Sequence, residues 1–453
     1  MLLEQSIQQA QSKAGRAQSF LIQFAHTQYY LPEQPLIELL ALIHIRFDAH
    51  AVPVIDGSIF VYNPGHLEAL QSMPDSYEEL KAYCLHHSLP WLLMSAPWRL
   101  APVHIAKPWG QEIWYTGIEA RGQAGVQGEG GDIPLPWLLE LISCRIGMVD
   151  ERQPILLKVL DPLADDIYGD LYFELHEEKQ EVYVVTHLDQ KAWPKGVGAI
   201  QLGFAAQKRR HYSTNDEFKQ AYLESVREYE HIRRLLDIKL DERKVALGMA
   251  PNQPAAVSQL ICWINELSQH DENKALFSKE VELRQAMNSF VSHQPLAVGD
   301  VVTVPKLVPH ALQHGVRVIE FQTPVYERKI LSFAQKVLTQ SHWDTEAALG
   351  LVDMHFTQPL PPERLIDDPH LLVERIVNFE DFEVRRIQLD GSYLLPSNDD
   401  YSVLMVVQGS LSLKAEGKTN HFETGQAVLI PKAESSWSIT SAAPCIFLLA
   451  SPH

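Results

Sequence analysis

Two histidines and two glutamates stand in this chain at spacings that let one divalent metal gather them. Glu174-Leu-His176, then four residues, then Glu181 form one group; His310 comes far downstream, after Gly299-Asp-Val-Val-Thr-Val-Pro305 and four more residues. Side chains two apart on a strand share a face, so Glu174 and His176 project together while Phe173 and Leu175 turn toward packing. Glu181 lies past a short turn, on a neighbouring strand. Two imidazoles and two carboxylates suit zinc, iron, manganese, cobalt or nickel, with positions left for water or substrate; zinc heads the expectation, though nothing in the set is soft enough to demand it. Adjacent carboxylates repel unless a cation sits between them. The competing reading is a solvated sheet edge, since Glu177, Glu178 and His187 lie close by. The glycine–proline turn leading to His310 favours the metal. Tyr172, Tyr183 and Trp193 read as core or rim residues.

The elements that must carry these side chains are short strands. Ile155–Val159, Leu171–Leu175 and Glu181–Thr186 read as strands, and strand grammar returns at Gly299. Between them, 214–294 is rich in Glu, Leu, Arg, Gln and Ala. Its apolar residues recur at helical spacing (Phe218, Tyr222, Val226, Tyr229, Ile232, Leu236). It therefore reads as a helical insertion in a β domain. Residues 373–450 read as short strands with tight turns, and Gly425-Gln-Ala-Val-Leu-Ile-Pro431 repeats the turn-and-strand pattern without ligands. Residues 1–30 read as helical, with Phe20, Leu21 and Phe24 on the apolar face. Residues 50–63 read as strands around an Asp56-Gly57 turn, and 76–88 as a helix. Leu138–Ile146 reads as a helix stopped by Gly147. Residues 344–369 show no firm pattern.

The chain has 453 residues, 46% hydrophobic and 21% charged, an ordinary globular balance with material for two or three domains. A net charge of −19 argues against nucleic acid and anionic membrane as partners. An anionic small substrate would need a local basic pocket. Cys84, Cys144, Cys262 and Cys445 are far apart and form no CxxC pair, which points to reduced thiols in a cytoplasmic protein. The start is polar and shows no signal peptide, and the Leu36–Ile45 run is too short and too polar to span a bilayer.

Gly169-(four residues)-Glu174-x-His176-(four residues)-Glu181 resembles the first metal motif of the cupin superfamily, and Gly299-(five residues)-Pro305-(four residues)-His310 resembles the second, with Leu307 where glycine is usual. The wider arrangement is similar to the type I phosphomannose isomerases. Lys107-Pro-Trp-Gly110 with Glu112–Trp114, Leu156–Leu160, Pro309–Leu312, Val318–Gln322 and Phe379–Leu389 match that family's local stretches, over about residues 100–453. The resemblance implies a mainly β protein with two cupin (jelly-roll β-barrel) domains plus an α-rich domain. Residues 99–210 and 296–345 would form the metal-binding cupin domain, 211–295 the helical insertion, and 370–453 a cupin domain without metal. Residues 1–98 would be an N-terminal α/β extension. It also implies the ligand set Glu174, His176, Glu181 and His310. Glu174 replaces the family's glutamine and makes the site one charge more negative. The loop after His176 is shorter than in the family, and Arg328 matches its catalytic arginine.

The activity so implied is a metal-dependent aldose–ketose isomerisation of mannose 6-phosphate and fructose 6-phosphate, in a monomer or weak homo-oligomer. A metal polarises the carbonyl, and a base moves the proton between C1 and C2. Glu320 is the candidate base, Arg328 the positive charge, and Lys306 the phosphate contact. The alternatives are another cupin enzyme (a different sugar-phosphate isomerase or a metal-dependent oxygenase) and a non-catalytic sugar-binding or regulatory protein.

Overall fold

The protein is described by a computed structural model over residues 2–13, 17–70, 74, 76–143, 153–251, 253, 255–338, 340–357, 361–395, 400–415, 418–432 and 437–453. It divides into two compact units. One comprises Met1–Ile105, Ile113–Lys158 and Pro361–His453, and the other Ala106–Glu112 and Val159–Leu360.

In the first unit, helix Leu2–Ser12 gives way to strand Gln18–Thr27. Phe20 and Phe24, expected on a helix, pair across a ladder with Ile43 and Leu39 of strand Leu36–Phe47. The apolar run of that second strand supplies a sheet surface, and pairing to it overrides local periodicity. The Asp56-Gly57 turn is also absent: Pro53–Val61 is one continuous strand paired to Leu36–Phe47. Gly57 permits this close approach, because a Cβ there would lie 2.5 Å from the Leu42 carbonyl oxygen. Helix Tyr77–His86 begins where Ser76 Oγ accepts the Glu79 N–H at 3.2 Å. Helix Leu135–Ile142, with Ser143 as its C-cap, takes up the described part of the 138–146 expectation; Cys144 and Gly147 lie outside the described residues.

The strands of residues 371–452 divide between two sheets. Leu371–Asn378, Phe382–Leu389, Ser402–Gln408, Ala427–Ile430 and Cys445–Pro452 join a nine-stranded antiparallel sheet, and the four-stranded one takes Ser392–Leu395, Ser410–Ala415, Lys418–Glu423 and Trp437–Thr440. Trp98–Ala101 pairs with Ala427–Ile430 and extends the larger sheet through Gly125–Gly128 and Gly131–Pro134.

In the second unit, one sheet runs Val291–Leu296, Gly198–Phe204, His310–Leu312, Phe173–Leu175, Lys329–Ser332. Of the six-stranded sheet, Val301–Val304, Glu181–Leu188 and Val316–Gln322 lie wholly within this unit, neighbouring one another in that order. Helices Asn215–Ala246, Val257–Gln269 and Asp271–Asn288 lie between the strands in sequence, the longest opened by Thr214 Oγ1 accepting the Glu217 N–H at 3.1 Å. A single core joins helices and sheets: Phe218, Tyr222, Val226, Tyr229, Leu283 and Met287 pack with Phe173, Leu175, Ile200, Leu202, Val304 and Leu312.

The expectation of a mainly β protein with two jelly-roll β-barrels is corrected. The protein is mixed α/β on open antiparallel sheets, and among the described residues no sheet closes into a barrel. Closure requires the first and last strands to pair. Here each sheet order begins and ends on a different edge strand, and additional strands lengthen the sheet.

Candidate metal centre

Register places the candidate ligands. Glu174 and His310 are direct cross-strand partners in the five-stranded sheet, so their side chains rise from the same face. His176 follows one residue after its strand ends, and its carbonyl accepts the Leu307 N–H at 2.7 Å. Leu307 adopts a left-handed φ of 64° to make that contact, at the position where the sequence pattern has glycine. Glu181 opens the neighbouring strand of the six-stranded sheet, opposite Gln322 and Val304.

Glu174, His176 and His310 each offer a ligand atom within 4.8 Å of the others, and both imidazoles are buried. This is the one such group of three among the described residues. One carboxylate and two imidazoles are donors a divalent cation takes, so the residues present fit a metal site. The Val308 carbonyl can only accept, so His310 Nδ1 carries the hydrogen in their 3.1 Å contact. In the neutral ring this leaves the Nε2 lone pair for the cluster, the orientation a metal ligand needs.

Glu181 stands against this group. Its carboxylate lies 3.4 Å from His176 Nε2 and 3.1 Å from His310 Nε2. It is held from behind by Lys179 Nζ at 2.7 Å and by the Tyr183 hydroxyl, which donates at 2.5 Å. Burial pushes the Glu181 carboxyl upward, but Lys179 and the two histidines outweigh it and hold the group well below the carboxylate range. Burial likewise opposes a charge on His310, and the Glu181 hydrogen bond and charge raise its pKa in spite of it. Burial and the charges of Glu181 and Glu320 push the Tyr183 hydroxyl well above its ordinary value, so it stays a donor.

The remaining expected residues fall at varied distances. Arg328 Nε is 4.0 Å from Glu174 Oε2, and its guanidinium lies 4.5 Å above the Tyr172 ring. Glu320 is buried and is the cross-strand partner of Tyr183, hence on the same sheet face as Glu181. Lys306 is half-buried, one residue before Leu307.

Sequence reasoning missed three residues. Tyr183, read as packing, donates to Glu181; its position two after Glu181 on one strand was the available signal. Lys179 sits among polar loop residues and carried no signal, since only the folded loop turns it inward. Glu327 carried none either: its Oε1 accepts the N–H groups of Glu177, Glu178 and Lys179 at 2.7, 3.1 and 3.3 Å.

Comparisons with known proteins follow the same lines. Residues 373–449 match the family described as mannose-6-phosphate isomerase, cupin domain. No curated protein matches the chain in sequence. Among solved structures, mannose 6-phosphate isomerase from Bacillus subtilis superposes with a TM-score of 0.54 at 16% identity, covering 78% of this chain and 99% of its own. A zinc-bound mannose 6-phosphate isomerase gives 0.54 at 13% identity, covering 79% and 99%. A variant of phosphomannose isomerase from Salmonella typhimurium gives 0.52 at 14% identity, again covering 79% and 99%. By its matched C-terminal segment and by the fold of most of its length, this chain resembles the mannose-6-phosphate isomerase family of the cupin superfamily.

Proposed function

We propose that the protein is a metal-dependent aldose–ketose isomerase of phosphorylated sugars, with mannose 6-phosphate and fructose 6-phosphate as the substrate pair. The observation that carries this reading is the convergence of Glu174, His176 and His310 in a fold shared with proteins of that name. These three residues, with Glu181 beside them, would hold one divalent metal, for which zinc is our choice. When bound, the metal would supply Lewis-acid polarisation of a sugar carbonyl. Glu320 is our candidate for the base that carries the proton between C1 and C2. Arg328, at the Glu174 edge of the cluster, would stabilise developing negative charge or hold the phosphate, giving a chain of net charge −19 the local positive charge an anionic substrate needs. Lys306 is a second phosphate contact in this reading.

The test combines metal content and turnover. Elemental analysis should find about one equivalent of metal in the wild type and much less in His176→Ala and His310→Ala. Interconversion of the two sugar phosphates is then assayed with zinc, manganese, cobalt and nickel in turn. Arg328→Ala should lower kcat/KM by about thirtyfold or more, the loss of a charged hydrogen bond worth about 2 kcal/mol or more. Equal metal content in all three proteins would overturn the ligand assignment, and no turnover with any metal in folded, loaded protein would overturn the isomerase.

A further inference from the structure

The connection from His176 to Glu181 is four residues long, and all four of its N–H groups are spoken for by one distant segment. Glu327 Oε1 accepts from Glu177, Glu178 and Lys179 at 2.7, 3.1 and 3.3 Å, and Thr323 Oγ1 accepts from Gln180 at 3.2 Å. Thr323 also returns its own N–H to the Gln180 carbonyl at 3.1 Å. Three consecutive amides converging on one oxygen make a concave nest of partial positive charge, a geometry that selects anions. Its occupant here is a carboxylate of the chain itself. The flanking side chains reinforce it: Lys329 Nζ pairs with Glu177 Oε1 at 2.7 Å, and Arg328 reaches toward Glu174.

The nest sits between two of the residues placed at the metal. His176 precedes it directly, and Lys179, whose amide is its third donor, uses its side chain on Glu181 at 2.7 Å. Fixing the three amides therefore fixes where His176 leaves its strand and where Lys179 meets Glu181. A loop this short, carrying two acidic side chains at 177 and 178, would otherwise have its amides free to turn to water.

We propose that Glu327 is a positioning residue for the metal centre, acting as the resident anion of a carboxylate-binding nest formed by the backbone of Glu177–Lys179. Glu327 touches neither the candidate ligands' donor atoms nor a substrate in this role; it acts through the loop. When its side chain is removed, the vacated nest takes a small free carboxylate in its place.

The inference rests on the metal reading for one of its two measurements only. In the full-length, metal-stripped protein, hydrogen exchange is read at amides 177–180 for the wild type, Glu327→Ala and Glu327→Gln. Zinc affinity of the same three proteins is then measured by chelator competition. Both are repeated with acetate and with chloride at matched ionic strength, after thermal melting has shown the variants to be folded. In Glu327→Ala, exchange at 177–179 should speed up at least about tenfold, and zinc should bind about 10–100-fold more weakly, the usual effect of losing a residue that orients a ligand. Acetate should restore both and chloride neither, while the neutral Glu327→Gln should fall between wild type and Glu327→Ala. Unchanged exchange in Glu327→Ala, or a loss that acetate does not repair, overturns the nest. A wild type that binds no zinc overturns the metal reading, and the exchange measurement in metal-stripped protein still decides the inference.

Discussion

His314 illustrates how a paired histidine outside the candidate ligand set confers a pH response. Its Nδ1 lies 2.7 Å from Asp170 Oδ1, and its ring stacks on Trp193 at 4.8 Å and 16°. Burial lowers the pKa of this ring, but the Asp170 hydrogen bond and charge, with help from Asp166 and Asp165, leave it above the ordinary 6.5. A raised histidine pKa contributes stability that is fully present below the unfolded value and is lost as pH rises through the folded one. The protonated ring should therefore stabilise the protein at pH 6 and cease to do so at pH 9. His314→Gln should cost about 1 kcal/mol more at pH 6 than at pH 9, read from urea midpoints; the pair is only partly buried, so a larger difference is not expected. A penalty equal at both pH values would show that the ring acts by stacking alone.

At the level of elements, the strands around the centre depend on backbone close to other backbone. Gly110, at the end of the Lys107-Pro-Trp-Gly110 stretch, has φ +146°, and a Cβ there would lie 2.3 Å from the Asp161 carbonyl oxygen. The adjacent Trp109 is 2% exposed in the shared core, and Lys107 pairs with Glu112 at 2.9 Å across the turn. Gly110→Ala thus combines an unfavourable φ with a clash against backbone that has nowhere to move. Each costs about 1–3 kcal/mol, so a loss on the order of 3 kcal/mol is expected in urea denaturation. A loss below about 1 kcal/mol would mean that the two strands separate easily. Leu307 shows the opposite choice: a side chain retained in a left-handed conformation, partly buried against the core.

Across the unit that carries the candidate metal centre, helices and sheets share one core, and this decides how that unit unfolds. Phe218 is fully buried, and its ring packs edge-on against Phe204 at 5.3 Å, joining the long helix to a strand that pairs with the His310 strand. Removing that ring should cost about 3–5 kcal/mol. Because the core is common, Phe218→Ala should shift helical circular dichroism and the near-ultraviolet signal of the buried aromatics to the same lower urea midpoint. Helix loss well before the aromatic signal would show that the insertion is an independent folding unit.

The sequence alone determined the local and the chemical. Short spacing put Glu174 and His176 near each other, helical periodicity marked 214–294, where helices Asn215–Ala246, Val257–Gln269 and Asp271–Asn288 form, and the residue types pointed to a divalent metal. What it could not determine was long-range pairing. Phe20 and Phe24 carry helical spacing yet pair with Leu36–Phe47, because a ladder to an apolar neighbour is worth more than local propensity. The Trp98–Ala101 strand extends a sheet expected to close, because an exposed strand edge binds whichever strand the chain delivers to it. Lys179 and Glu327 acquire their roles only when the loop after His176 folds against residues 323–327, some 150 positions away by the Glu177–Glu327 contact. Hydrogen-bond partners at that separation leave no periodic trace in the chain, and only the tertiary structure brings them together.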